Sequence, residues 1–239
     1  MFNGKKIAIF DMDGTLIDSV GVWNEVDRAL IHRIGDVAVT ADKAQLQRDD
    51  ALRLFSKTDN PYLAYCDYLR EQYHSSLSAE EIHSLRYAIA DDYLTNIIDY
   101  KEHAEQALQA LKDHGLTLVI ATTTRKANMD IYRTRNKNIR EKAALDEYFS
   151  LIYTREDAKE IKPNPEIYLR VMRELRVGPT ECIIFEDSLI GVEAAKRAGI
   201  EAVAMYDRYS DHEREQINAL ADYQCRDYKE VLAVLEKEL

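Results

Sequence analysis

Two acidic residues, separated by one position, follow a short apolar run near the start of the chain. The run covers residues 7–10, the acids are Asp11 and Asp13, and Gly14 comes directly after them. A continuous apolar run that ends in turn residues predicts a strand buried on both faces. The two carboxylates would then lie at the carboxyl edge of a parallel sheet, where such sheets form their binding crevice.

Two other interpretations fit the same stretch less well. An acidic turn after a strand is common, because Asp and Gly both favour turns. A calcium loop of the EF-hand type needs acids at its first, third and fifth positions, glycine at its sixth and a preceding helix. Here the glycine comes fourth and a strand precedes it. The spacing therefore disfavours a calcium loop.

A second acidic pair, Glu186 and Asp187, follows the apolar run 182–185. Acids before a helix can serve only as partners of the helix dipole. Beside Asp11 and Asp13 at a neighbouring strand end, however, they would repel one another and raise one another's pKa values. A divalent cation relieves that repulsion, and an all-oxygen ligand set indicates Mg²⁺.

A threonine cluster follows the apolar run 116–121 at a predicted junction between strand and helix. Its members are Thr122, Thr123 and Thr124, and Arg125 comes next. Hydroxyls and successive backbone N–H groups at such a junction can hold phosphate oxygens. An ordinary group of helix-capping residues is the alternative.

Lys162 is the candidate cation for this site. It precedes Pro163, and a residue before proline is held extended, which can direct the side chain toward a site. A solvated surface lysine is the alternative.

The elements that position these residues alternate between strands and helices. Apolar runs predict strands at 116–121, 149–153, 182–185 and 201–205, after the first strand, and the intervening helices include a long one over 128–145. Such alternation predicts an α/β fold: a doubly wound, Rossmann-like parallel sheet with right-handed connections.

Four amphipathic helical patterns interrupt this alternation between the first and second strands. Asn60 with Pro61, and a capping box that begins at Ser78, are helix start signals, and Gly35 is a predicted helix stop. We therefore predict a core domain from residues 1–17 and 98–239, with an inserted helical-bundle cap over 18–97. The connections near residues 17–19 and 97–100 are the predicted hinges.

The composition limits the classes of partner. A net charge of −11 over 239 residues, with no basic tract, argues against nucleic acid. Cys66, Cys182 and Cys225 are too widely spaced for a metal knuckle or a disulfide framework. The start leads directly into the first strand, and no apolar run approaches the ~20 residues of a membrane span. We expect a cytoplasmic protein without a membrane partner, either a monomer or a weak dimer.

Four segments of the chain resemble, in order, the motifs of the haloacid dehalogenase superfamily, the aspartate-nucleophile phosphatases. They are Asp-Met-Asp-Gly-Thr-Leu-Ile-Asp-Ser at 11–19, Thr122 after its apolar run, Lys162-Pro163, and Glu186-Asp187. The resemblance covers almost the whole chain, and the position of the helical insertion is that of subfamily IA, which contains phosphatases and β-phosphoglucomutase-like enzymes. It implies that the first strand is central, between the second and the fourth.

The resemblance also implies roles for the acids. Asp11 is the nucleophile that forms an aspartyl-phosphate, and Asp13 protonates the leaving oxygen and then activates the water. Asp11 and Asp187 give side-chain oxygens to Mg²⁺, Asp13 gives its backbone carbonyl, and Glu186 lies close by and acts through water.

The phosphate-binding roles follow in the same way. Thr122 matches the threonine or serine of the second motif, and Lys162 matches the lysine that bridges the nucleophile and the transferring phosphoryl group. Ile161 stands where the family usually has glycine. Further candidates for contact with a small phosphorylated metabolite are Thr123, Thr124, Arg125 and Trp23.

Two alternatives to a phosphatase stay open. The β-phosphoglucomutase branch has a histidine five residues after the aspartate that Asp18 matches, and this chain has Trp23 there. That branch also has a glycine-containing cap loop that ends in Arg-Glu, whereas this chain has Arg48 and Asp49 without the glycine. Trp23 could cover the substrate or belong to the core of the bundle. The second alternative is a catalytically idle binding protein on the same fold.

Overall fold

The chain divides into two compact units, one built on a parallel sheet and one made of helices. The structure, a computed structural model, describes residues 1–55 and 59–238, without the side chains of Asp49, Leu52, Arg53 and Pro61. The α/β unit comprises Met1–Asp18 and Ile98–Leu239, and the helical unit comprises Ser19–Ile97. None of the helices described within residues 1–55 and 59–238 combines the length and apolar character needed to cross a bilayer.

The sheet of the α/β unit has six strands, all parallel. They are β1 (Ile7–Phe10), β2 (Thr117–Ala121), β3 (Leu151–Tyr153), β4 (Cys182–Glu186), β5 (Glu201–Met205) and β6 (Tyr223–Cys225). The order is β3-β2-β1-β4-β5-β6. The predicted α/β class and the central place of β1 between β2 and β4 are therefore confirmed. The five predicted strands omitted β6, because three residues with an exposed Gln224 leave no apolar run to detect.

In the helical unit, the structure describes four α-helices outside residues 56–58. They are α1 (Val22–Gly35), α2 (Ala41–Leu54), α3 (Pro61–Gln72) and α4 (Ala79–Asp92), and a π-helical turn follows at Tyr93–Ile97. Both predicted start signals are present: Asn60 Oδ1 accepts from Leu63 N at 3.1 Å, and Ser78 forms a capping box with Glu81. Gly35 is the last residue of α1, and Asp36 takes the left-handed conformation after it, with φ 49°.

Among the described residues, eight α-helices flank the sheet. They are α5 (Ala104–Asp113), α6 (Lys126–Thr134), α7 (Lys137–Ala143), α8 (Leu145–Tyr148), α9 (Glu166–Leu175), α10 (Leu189–Arg197), α11 (Arg214–Leu220) and α12 (Tyr228–Glu238). The single helix predicted over 128–145 is wrong, because three short helices occupy this region. Asn136 interrupts the helix between α6 and α7. The Asn136 side chain accepts from Ile139 N at 2.9 Å and donates to the Ile98 carbonyl at 3.0 Å. An asparagine used in this way competes with the helical backbone.

The two connections to the helical unit run side by side within the α/β unit. Ile17 and Tyr100 form an antiparallel bridge, and Asp18 N donates to the Asp99 carbonyl at 3.1 Å. The unit boundaries lie within one residue of the predicted domain boundaries. The roles of these connections as hinges and of the helical unit as a cap stay predictions.

Candidate active site

The carboxyl ends of β1 and β4 bring the candidate nucleophile next to a buried lysine. Phe10 and Phe185 are partners in the parallel register, so Asp11 and Glu186 follow at adjacent strand ends. Lys162 Nζ lies 2.6 Å from Asp11 Oδ1 and 2.7 Å from Glu186 Oε1. All three residues are buried. Ile161, in place of the family's glycine, therefore does not keep Lys162 from this site.

Asp187 lies at the same strand end and is held by two hydroxyls. Its Oδ1 accepts from Thr15 Oγ1 at 2.8 Å, and its Oδ2 accepts from Ser210 Oγ at 3.4 Å. Thr15 comes from the turn after β1, whereas Ser210 comes from the 3₁₀ segment Arg208–Glu213 after β5. Two other parts of the α/β unit therefore fix the position of this carboxylate.

Burial and mutual repulsion dominate the electrostatics of the acids. Burial raises the pKa of Asp11 to about 7, against the opposing charge of Lys162 and with further repulsion from Glu186 and Asp13. Burial also raises the pKa of Asp187 well above its ordinary value, and the carboxylates of Glu186 and Asp11 add to this effect. Although burial alone would lower it, the pKa of Lys162 is raised well above its ordinary value by Asp11 and Glu186.

The donor set, which consists of oxygen ligands, suits a hard divalent cation such as Mg²⁺. Within the part of the chain that the structure describes, no three histidine, cysteine, aspartate or glutamate side chains converge as a ready-made metal cage. Mg²⁺ does not need one, since it usually takes one or two carboxylates and completes its shell with water and substrate phosphate. Asp11 and Asp187 are oxygen donors whose ionised forms disfavour each other. A cation between them would remove that cost.

Glu186 is held by donors on both of its carboxylate oxygens. Oε1 accepts from Lys162, and Oε2 accepts from the backbone of Asp187 and from the backbone and hydroxyl of Ser188, each at 2.9 Å. These contacts indicate that Glu186 holds Lys162 against Asp11. Its place near a metal, through water, stays a prediction.

Gly191 makes room for this carboxylate. It lies in the first turn of α10, where a Cβ would overlap the carboxylate group of Glu186. A side chain at this position would have to displace Glu186, and with it the partner of Lys162.

We expect Gly191→Ala to lower the free energy of unfolding by about 1–3 kcal/mol, the usual cost of overpacking. Phosphate release should fall as well, because Lys162 loses its fixed partner. Urea unfolding and steady-state turnover measure the two effects. Gly178→Ala is the matched control, since a Cβ there meets only a carboxylate oxygen of Glu181, at 3.6 Å. Wild-type values for both variants would contradict the role of Gly191.

The threonine cluster after β2 reaches Asp13. Thr124 Oγ1 donates to Asp13 Oδ2, and the Thr122 and Thr124 hydroxyls lie 2.9 Å apart. Thr122 also accepts from Thr124 N at 3.1 Å, and both threonines are buried. Thr124, predicted as a substrate contact, therefore orients the candidate acid and base. Thr123 is half-buried.

Arg125 and Trp23 are the other predicted substrate contacts. Arg125 is exposed, at the start of α6. Trp23 lies within the helical unit, with the Arg86 guanidinium 4.8 Å from its ring centroid and Tyr87 packed edge-on against it. Contact of either residue with a substrate stays a prediction.

Arg48, which was compared with the cap loop of the mutase branch, lies in α2 and belongs to a buried network of the helical unit. Its guanidinium donates to Asp27 at 2.9 Å and to Asn24 at 3.0 Å. Arg86 donates to the same Asp27 carboxylate at 2.6 Å. Arg48 therefore helps to neutralise a fully buried aspartate. The side chain of Asp49 lies outside the described residues.

Sequence reasoning missed several residues that support the site: Thr15, Ser188, Ser210, Gly191 and Tyr168. Tyr168 is fully buried, and Lys162 Nζ lies 5.3 Å from its ring centroid. Its hydroxyl has no hydrogen-bond partner among the described residues. Thr15 could have been found from its place directly after Asp13-Gly14, whereas nothing in the sequence links Ser210 to Asp187.

The raised pKa of Asp11 predicts how pH and metal act on stability. A pKa of about 7, against an ordinary 3.8, means that the folded protein holds the proton more tightly than the unfolded chain. The metal-free protein should therefore lose stability as pH rises through this window. A bound cation favours the ionised carboxylates, so Mg²⁺ should raise the melting temperature more at pH 8 than at pH 5. Calorimetry with Mg²⁺ or with a chelator measures this, and an equal shift at both pH values would contradict it.

Comparison with known proteins places this site in a family. A family model described as haloacid dehalogenase-like hydrolase matches residues 8–205. The phosphorylated carbohydrates phosphatase of Thermotoga maritima is 30% identical over 198 residues, which cover 83% of each chain. The chain spans only about half (49%) of the bifunctional riboflavin kinase/FMN phosphatase of Arabidopsis thaliana, at 26% identity over 84% of its own length. The crystal structure of CbbY from Rhodobacter sphaeroides in complex with phosphate shares the fold, with a TM-score of 0.67 at 23% identity over 97% of this chain and 99% of CbbY.

Proposed function

We propose that this chain, which belongs to the haloacid dehalogenase-like hydrolases, is a Mg²⁺-dependent phosphatase that hydrolyses a small phosphorylated metabolite through an aspartyl-phosphate. Phosphoric monoester hydrolysis is the reaction of its named phosphatase relatives. The observation that carries the proposal is the buried Asp11 carboxylate, 2.6 Å from the Lys162 ammonium and close to Asp13.

In the first half of the proposed reaction, an Asp11 carboxylate oxygen forms a bond to phosphorus as the ester oxygen departs. Asp13, held by Thr124, gives its proton to the departing alcohol. Lys162 offsets negative charge on the nonbridging phosphoryl oxygens, where stabilisation helps most. Mg²⁺, held by the Asp11 and Asp187 carboxylates and the Asp13 carbonyl, would add positive charge at the same oxygens.

In the second half, Asp13 accepts a proton from a water molecule that attacks the aspartyl-phosphate. The bond between Asp11 and phosphorus breaks, inorganic phosphate leaves, and the Asp11 carboxylate is restored. Thr124 therefore serves both steps, because it fixes the side chain that first gives and then takes the proton. Thr122, buried beside Thr124, is the residue we assign to binding a phosphoryl oxygen.

The substrate class rests on the relatives. One is named for phosphorylated carbohydrates and another for FMN, and both kinds of compound are small phosphate monoesters. We assign the helical unit the role of a cap, with Trp23 and Arg125 as candidates for contact with the organic part of the substrate.

A phosphate-release screen over sugar phosphates, short-chain acid phosphates, nucleotides and an aryl phosphate tests the proposal. We expect release that needs Mg²⁺, stops with a chelator and is absent in Asp11→Asn. Conversion of glucose 1-phosphate to glucose 6-phosphate, with a bisphosphate primer, would instead support a mutase. No release from any compound, including the aryl phosphate, would support an idle binding protein and overturn the phosphatase.

A further inference from the structure

A cavity lined by several polar side chains lies in the α/β unit, away from Asp11. It has a volume of about 490 Å³ and opens where β5 and β6 end, between α11 and α12. Tyr206, Arg214, Asn218, Gln224, Arg226 and Glu230 line it. In the sheet, β4 and β5 separate β6 from β1. The cavity therefore shares the carboxyl edge of the sheet with the candidate active site but uses none of its residues.

The two guanidinium groups of this cavity have no acidic partner in the part of the chain that the structure describes. Arg214 donates only to backbone carbonyls, those of Met205 at 3.3 Å and Asp207 at 3.1 Å. Its Nε is buried without an acceptor among the described residues. The side chain of Arg226 makes no hydrogen bond or ion pair within residues 1–55 and 59–238. Other arginines of the same unit do pair with carboxylates, as Arg197 does with Glu193 at 3.1 Å.

The lining carries more positive than negative charge. Glu230 is its one carboxylate, and Glu230 Oε2 already accepts from Arg226 N at 2.7 Å. In a chain with a net charge of −11, the lining of this cavity has two arginines and one glutamate. A phosphate group in the cavity would supply acceptors for guanidinium N–H donors that no carboxylate of the described residues takes up.

We propose that this cavity binds a small molecule that carries a phosphate group, as a second site separate from Asp11. Guanidinium groups match phosphate oxygens in geometry as well as in charge. Tyr206 stacks on Arg214, with 5.0 Å from the guanidinium carbon to the ring centroid, and stays 40% exposed. Its ring offers an apolar surface to the organic part of the ligand, and the side-chain amide of Asn218 offers hydrogen bonds, whereas Gln224 Nε2 already donates to the Asn218 backbone carbonyl at 3.0 Å.

The proposal can be tested by NMR with inorganic phosphate as the probe. The ¹⁵N-labelled protein is titrated with phosphate in the presence of a chelator, while the arginine Nε–H signals are followed. The signal of Arg214 is assigned by its absence in Arg214→Lys. We expect a saturable shift of this signal, with at least tenfold weaker binding in Arg226→Met, since a hydrogen bond to a charged group contributes about 1.5–3 kcal/mol. Arg197→Met is the matched control and should bind as the wild type does.

Other outcomes would overturn the second site. A shift that sodium chloride reproduces at equal ionic strength, or no saturable shift, would mean that the cavity holds ordered water only. If the shift is saturable but the affinity for phosphate is unchanged in Arg226→Met, then phosphate binds at another location. Arg226→Met should also keep wild-type turnover of an aryl phosphate, so failure of the second site and failure of the proposed function are separate results.

Discussion

Replacing Asp11 with asparagine should abolish phosphate release and, in the metal-free protein above pH 7, raise the free energy of unfolding. The loss of turnover should be about 10⁴-fold or more, because an amide cannot form the aspartyl-phosphate. The gain in stability arises because burial raises the pKa of Asp11 to about 7 from an ordinary 3.8. Each pKa unit corresponds to about 1.4 kcal/mol, so removal of the charge should raise the free energy of unfolding by on the order of 4 kcal/mol at most. The Lys162 contact that is lost with the carboxylate reduces this gain.

The two effects need separate measurements. Phosphate release tests the role of Asp11 as the nucleophile. Urea unfolding at pH 6 and pH 8 tests the cost of burying its charge, and the gain in stability should be larger at pH 8. Asp18→Asn is the matched control, because Asp18 lies in the same motif but is exposed. Retained turnover in Asp11→Asn would rule out the assigned nucleophile. A loss of stability at pH 8 would rule out the assigned electrostatic cost.

The second large effect is expected from Lys162→Met, which keeps much of the alkyl chain and removes the charge. Asp11 and Glu186 would then be buried without their shared cation. Removing one partner of a buried ion pair usually costs about 3–5 kcal/mol, and we expect a decrease of this size in the free energy of unfolding at pH 8. Turnover should fall about 10³-fold or more, because the amino group also screens the transferring phosphoryl group.

The pH dependence distinguishes this cause from a general packing defect. Without Lys162, Asp11 can relieve the repulsion by binding a proton, so the stability deficit should be smaller at pH 5 than at pH 8. Lys159→Met is the matched control, since Lys159 is exposed in the same connection. A deficit that does not change with pH would contradict the charge argument.

Much of the fold could be predicted because its signals are local. The buried strands β1, β2, β4 and β5 are continuous apolar runs, and the caps at Asn60 and Ser78 are patterns of a few residues. The break at Asn136 could not be predicted, because it depends on the Ile98 carbonyl, which is distant in sequence. The short strand β6 lacked an apolar run and was missed for that reason.

The candidate site also has features that could be predicted from the sequence and features that could not. The resemblance predicted that Asp11 and Lys162 would meet, and the structure places them in contact. It could not predict which neighbours hold them, because these contacts depend on tertiary packing. Glu186 rests against Gly191, and Ser210 reaches Asp187 from another strand end. Thr124 donates to Asp13, a contact that the spacing of three threonines cannot reveal, and its contact with a substrate stays a prediction.

The central position of β1 has a consequence for biosynthesis. Ile7 pairs with Thr117 and Cys182, so this apolar segment leaves the ribosome long before either partner strand exists. In the interval the nascent chain can complete the helical unit, whose contacts are local and therefore form quickly. Because Asp18 and Asp99 are hydrogen-bonded neighbours, a folded insertion brings its two ends together and shortens the loop that the sheet must close. A defect in the helices would then appear first as a low yield of correctly assembled sheet during translation.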